Sequence, residues 1–156
     1  MTKTKRPIWT KWRDLTTENL NSHWSQSPGV YYIRLVTRRG DPVPIHRILG
    51  KDPKGILYIG MARIGADGGL CNRLWGFWTA STGKDETPHG AGRKWRRLLS
   101  KHFPHYHLQY SYRQLSRVRM SQKLEIECLA NYQKRWGELP SLNRAGVEHG
   151  KLGMKR

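Results

Sequence analysis

The residue with the clearest chemical meaning in this chain is a glutamate set among apolar neighbours. Periodicity predicts a long helix from about Arg119 to Trp136, ended by Gly137 and Pro140. At about 100° per residue, Cys128, Leu129, Tyr132 and Trp136 fall within roughly 60° of Glu125, which places its carboxylate in the middle of the apolar face. Glu127 points about 200° away, so these two neighbours do not form a carboxylate pair acting on one site. An ionised Glu on a core face is costly unless a cation or a metal compensates it. Two roles meet that condition: a salt bridge to one of the many arginines, or a metal ligand or acid–base group in a cleft.

The scarcity of acids limits what such a cleft could do. The chain has 11 Asp and Glu in 156 residues. Asp14, Glu18, Asp41, Asp52, Asp67, Asp85, Glu86, Glu138 and Glu148 all fall in predicted loops, arms or the tail. A two-metal phosphodiesterase site needs several converging carboxylates. One carboxylate and one ion is the economical alternative, leaving transition-state charge to arginine. Cys71 and Cys128 lie far apart without a second pair, which fits two reduced thiols and neither a disulfide framework nor a four-ligand zinc site. His105 and His107 would share a strand face, with no further ligand in view beyond His102.

Charge points to the substrate class. There are 17 Arg and 12 Lys, for a formal net charge of +18. That excess draws polyanions through counterion release, which makes nucleic acid the leading partner and excludes nothing about chemistry. Hydrophobic residues make up 37% of the chain, with seven Trp and seven Tyr, enough for a packed core and too many for a disordered polycation. No apolar run is long enough for a membrane helix or a secretory leader, so a cytoplasmic protein without membrane attachment is expected.

The elements that must position these residues can be read from punctuation and period. Residues 1–27 read as an N-terminal arm with a short helix over Asp14–Asn21, closed by Ser27-Pro28-Gly29. Val30–Val36 is a β-branched and aromatic strand, and ILYIG at 56–60 is a second, antiparallel to it, with 37–54 inserted between them. Leu70, Leu74, Phe77 and Trp78 define an amphipathic helix to about Ala80. A helix over about Lys94–His102 would place Trp95, Leu98, Leu99 and His102 on one face. Arg93, Arg97 and Lys101 form a like-charged row on another, which suggests an anion alongside. His105–Tyr112 is a third strand, and 147–156 a basic tail. The expected fold is α+β: a small three-stranded antiparallel sheet flanked by helices, occupying residues 28–146.

Gly29-Val30-Tyr31 opens the first strand and Tyr58-Ile59-Gly60 closes the second. Followed in order by Arg73 in LCNRL, Glu125 in LEIECLANYQ and Asn143 in SLN, these triplets resemble the GIY-YIG nuclease family across residues 28–144. The resemblance implies a GIY-YIG-like fold and a single divalent cation, Mg²⁺ with Mn²⁺ as a substitute, held by Glu125. It implies that Tyr31 or Tyr58 takes a proton from, or orients, the attacking water, that Arg73 stabilises the scissile phosphate, and that Asn143 buttresses the site. A Tyr is a poor base at its normal pKa near 10, so such a site is expected to lower that value.

The chain also departs from the family. One turn after the Arg, where many members carry Tyr or His, stands Phe77, which cannot move a proton. His89 in HGAGRKW is the candidate for that role. Met61 follows the second triplet where the family often has Lys, with Arg63 nearby as a substitute; Arg63, Arg93, Lys94, Arg97 and Lys101 are the candidate nucleic-acid contacts. The expected activity is hydrolysis of phosphodiesters in DNA, double-stranded by preference. The competing expectation is a DNA- or RNA-binding module on the same fold, inactive because of Phe77. One active site nicks one strand, so double-strand breaks would require a homodimer or two successive events.

Overall fold

The computed structural model describes residues 8–64, 68–84 and 89–143. Its elements, in chain order, are β1 (Arg13–Asp14), α1 (Thr17–Ser22), β2 (Gly29–Thr37), β3 (Ile45–Arg47), β4 (Gly50–Asp52), β5 (Ile56–Ala62), α2 (Gly69–Thr82), α3 (Gly90–Lys94), β6 (Tyr106–Gln114) and α4 (Val118–Trp136). The main sheet is antiparallel, in the order β1-β6-β2-β5. Among the described residues, no helix is long and apolar enough to cross a membrane.

Alternation along β2 divides the protein into two apolar layers, because successive side chains leave opposite faces of a strand. Tyr31, Ile33 and Leu35 point to one side and pack with Leu20 of α1, Leu70, Leu74 and Phe77 of α2, and Tyr110 and Tyr112 of β6. Val30 points to the other side with Ile59, where Leu129 and Tyr132 of α4 cover them. Between Ile33 and Arg34 the pairing with β5 slips, so that Ile33 faces Tyr58 and Arg34 faces Ile56. This slip leaves Leu57 unmatched on β2. α4 ends as its sequence predicts: Gly137 adopts φ 79° and donates its N–H to the Gln133 carbonyl, a left-handed cap open to glycine without strain.

Three expectations are corrected. The main sheet has four strands, not three, because Arg13–Asp14 pairs with Tyr110 and Gln109 at the edge of β6. Two residues are too few to show alternation in a sequence. Residues 8–27 therefore do more than form an arm: Thr16 caps α1 by accepting from Asn19 N–H, and Leu20 of that helix is fully buried. The helix expected over Lys94–His102 begins earlier and changes pitch. α3 runs into a π-type turn over Trp95–Leu99, with Ser100 N–H donating to the Trp95 carbonyl, and then a 3-10 turn over Ser100–His102. The wider turn shifts the phase of the wheel. Trp95 stays inside, stacked on Phe103 at 6.0 Å, while Leu98 is 56% exposed.

The 37–54 segment is not loose. β3 and β4 form their own two-stranded hairpin, fixed to the end of α4 by Leu49 N–H donating to the Trp136 carbonyl. Arg47 extends the tie by donating to Tyr132 Oη at 3.1 Å, to Ser141 Oγ at 3.0 Å and to the Ile56 carbonyl at 3.4 Å. The basic tail at 147–156 lies outside the described residues.

Candidate active site

β5 is the edge strand of the main sheet, so its outer backbone groups need other partners. The chain after α4 provides them. Leu142 N–H donates to the Leu57 carbonyl at 2.9 Å. The Asn143 amide then pairs with Ile59 in both directions, accepting from its N–H at 3.0 Å and donating to its carbonyl at 2.8 Å. Asn143 thereby acts on β5 as one more strand residue would, and its position beside Tyr58 is set by two hydrogen bonds.

A cleft of about 270 Å³ opens beside this edge, lined by Tyr58, Arg73, His89, Arg93, Glu125 and Asn143 among others. Its walls come from both helical layers: Arg73 from α2, His89 at the N-cap of α3, Glu125 from α4. Glu125 is 5% exposed, whereas Glu127 is exposed, in accord with the helical wheel. Two cations, Arg73 and Arg93, share the cleft with that carboxylate.

Behind the cleft wall the rings are closely nested. Tyr58 lies 5.8 Å from Tyr31 and 6.0 Å from Phe77 by ring centroids. His89 stands edge-on to Phe77 at 5.1 Å and to Tyr58 at 5.7 Å. Gly60 makes the nest possible, since a Cβ there would sit 2.5 Å from Tyr58 Cε1 and 2.8 Å from Tyr31 Oη. Gly29 answers a similar constraint at the other triplet, where a Cβ would collide with the Arg113 carbonyl and with Leu70. The two glycines of the motif are thus close-approach residues.

Proton positions follow from the partners. Burial, aided by the charge of Arg73, pushes the His89 pKa down to about 3, so the imidazole is neutral at ordinary pH. Its Nδ1 accepts from Gly92 N–H at 3.4 Å as the cap of α3, which leaves the ring proton on Nε2. Nε2 lies 3.0 Å from Tyr31 Oη and donates to it. Tyr31 is fully buried, and Arg73 and Tyr58 are close enough to act electrostatically on its hydroxyl.

That arrangement separates the two tyrosines. Burial raises the Tyr31 pKa well above its usual value, and the nearby Arg73 only partly opposes it. The protein groups around Tyr31 act opposite to the lowering expected of such a site: removing a phenol from water costs more than one partly solvated arginine returns. Tyr31 keeps its proton behind the wall, and Tyr58 is the phenol on the cleft.

The basic residues divide as well. Arg93 lines the cleft, while Arg97 and Lys101 are exposed on the turns beyond it. Lys94 donates to the Ser141 carbonyl at 2.7 Å, which steadies the segment carrying Asn143. Arg63 is exposed at the end of β5 and does not line the cleft. His107 contacts Asp14 at 2.9 Å, His105 precedes β6, and both cysteines are free.

Sequence reasoning missed Asp52, placed in a loop and found buried. Its carboxylate accepts from Lys54 N–H, Ile56 N–H and Tyr132 Oη at 2.9, 3.0 and 2.9 Å. The signal was present in Asp52-Pro53-Lys54-Gly55, a turn in which an Asp side chain commonly accepts from the backbone two residues on. It also missed Arg47, whose several partners are remote in sequence.

The chain matches no family model, and no curated protein or solved structure matches it.

Proposed function

We propose that this protein is a GIY-YIG-type endonuclease that hydrolyses DNA phosphodiester bonds with a single divalent cation. The observation that carries the reading is the convergence of Tyr58, Arg73, His89, Glu125 and Asn143, from separate segments, on one cleft. A packed core has no need to bring those five side-chain types to one opening on a +18 surface.

The donor set fits one hard cation and not a cage. Among the described residues there is no cluster of three or more His, Cys, Asp or Glu. Mg²⁺ commonly needs only one or two carboxylates, keeping water and substrate phosphate as its other ligands. Glu125 would hold it, with Mn²⁺ as a substitute. Such an ion would supply Lewis acidity at the phosphate and a more acidic water.

The rest is done by the chain. Arg73, forked and permanently charged, binds the scissile phosphate and stabilises its developing charge. Tyr58, the phenol that lines the cleft, orients the attacking water. His89 fixes Tyr31 and so supports the wall behind Tyr58. Asn143 keeps β5, and hence Tyr58, in place. Arg93, Arg97 and Lys101 would hold the flanking duplex backbone.

The test incubates supercoiled plasmid with purified protein, with and without Mg²⁺ or Mn²⁺, beside Glu125→Gln. Metal-dependent nicking or linearisation, abolished in the variant while DNA binding persists, is expected. No conversion with either metal, despite salt-sensitive binding, would replace the enzyme with a binding module on this fold.

A further inference from the structure

A second, larger cleft of about 400 Å³ lies on the α4 side of the sheet, and nothing in the proposed hydrolysis uses it. Its walls include Tyr32 of β2, Ile59 of β5, and Asn131, Tyr132, Arg135 and Trp136 of α4. Ile59 lines both clefts, so the two are neighbours across one residue of β5. Along α4, Glu125 faces the first and Cys128 the second, about one helical turn of roughly 5 Å apart.

The second cleft is built for a flat ring. The ring of Tyr32 is held by Trp9, stacked on it at 4.4 Å and 18°. Tyr132 is fixed through its hydroxyl by Asp52 and Arg47. Three aromatic side chains thus line a space within the roughly 300–1,000 Å³ typical of small-ligand sites. The one carboxylate in the lining, Asp52, already accepts from two backbone N–H groups and from Tyr132, so its oxygens are engaged in holding the wall. Lys54, Asn131 and Arg135 are exposed at the rim. Apolar ring walls, one neutral amide and two rim cations together suit a heteroaromatic base attached to phosphate.

We propose that this cleft binds the base of a nucleotide adjoining the scissile phosphate, taken out of its stack, with Tyr32 and Trp136 as ring contacts, Asn131 reading the base edge, and Lys54 and Arg135 on flanking phosphates. The proposal rests on the nucleic-acid reading of the neighbouring cleft and gives it a source of substrate selection. Within a duplex an extruded base costs least at a mispaired or unstacked position, so such positions are preferred over perfectly paired ones.

Anisotropy of two labelled strands at one salt concentration tests it: hexathymidylate, and an abasic tetrahydrofuran strand of equal length and charge. The wild type is expected to bind the base-bearing strand on the order of tenfold more tightly. Trp136→Leu, which removes a wall, and Asn131→Ala, at an exposed helical position that folding tolerates, should both shrink that ratio and leave abasic affinity unchanged. Equal affinities in the wild type, or a ratio untouched by both variants, overturns the base site. Plasmid cleavage measured alongside separates the two readings. A wild type that cuts DNA yet shows equal affinities loses only the base site, and one with a variant-sensitive ratio that cuts nothing keeps the base site and loses the nuclease.

Discussion

Acidification should weaken this protein through His89 before it reaches most carboxylates. In the folded state His89 titrates only at about 3, against an ordinary 6.5, because it is packed against Phe77 and Tyr58 near the positive charge of Arg73. The unfolded chain therefore takes up a proton near 6.5 that the folded chain refuses. Stability from this residue is complete above about 6.5 and is lost as pH falls toward 3. Each pH unit in that window costs at most about 1.4 kcal/mol, so moving from neutrality to pH 5 should remove about 2 kcal/mol. Urea denaturation from pH 7.5 to 5, on the wild type and on His89→Gln, isolates the contribution. Gln can still hydrogen-bond Tyr31 but does not titrate, so the variant should start less stable and show a flatter profile. Parallel profiles for the two proteins would refute the reasoning, because His89 would then titrate alike in both states.

Two more perturbations separate packing from surface charge. Gly60→Ala places a methyl against Tyr58 and Tyr31 in a nest with no slack, and should lower stability by roughly 1–3 kcal/mol, read by chemical denaturation. A loss below about 0.5 kcal/mol would mean that the rings move aside freely. Lys94→Met should cost about 1 kcal/mol of folding stability by releasing the Ser141 carbonyl. Arg97→Ala and Lys101→Ala should leave stability unchanged, each reducing the salt slope of DNA binding by about 1.

What was legible in the sequence was local. The two strands around Gly29 and Gly60, the inward direction of Glu125, the outward direction of Glu127 and the stop at Gly137 each follow from a few consecutive residues, since strand and helix periods and a glycine cap are set within one or two turns of chain. Leu70, Leu74 and Phe77 defined the buried face of α2 on the same grounds.

The remainder depends on partners distant along the chain. Tyr31 and His89 meet across 58 positions, Tyr132 and Asp52 across 80, and Asn143 and Ile59 across 84, separations that no window of sequence spans. Arg13–Asp14 is a strand only because the edge of β6 is there to pair with it. Lys94 and Arg97 are similar basic residues three positions apart, and only the arrival of Ser141 beside the first gives them different work. The sequence could place two tyrosines near one another; which faces the cleft, and which is driven by burial to keep its proton, was decided when the layers closed over the sheet. Desolvation and charge proximity belong to that assembled interior, and this is why residue types and order were determined by the chain alone while their protonation and division of labour were determined by its tertiary structure.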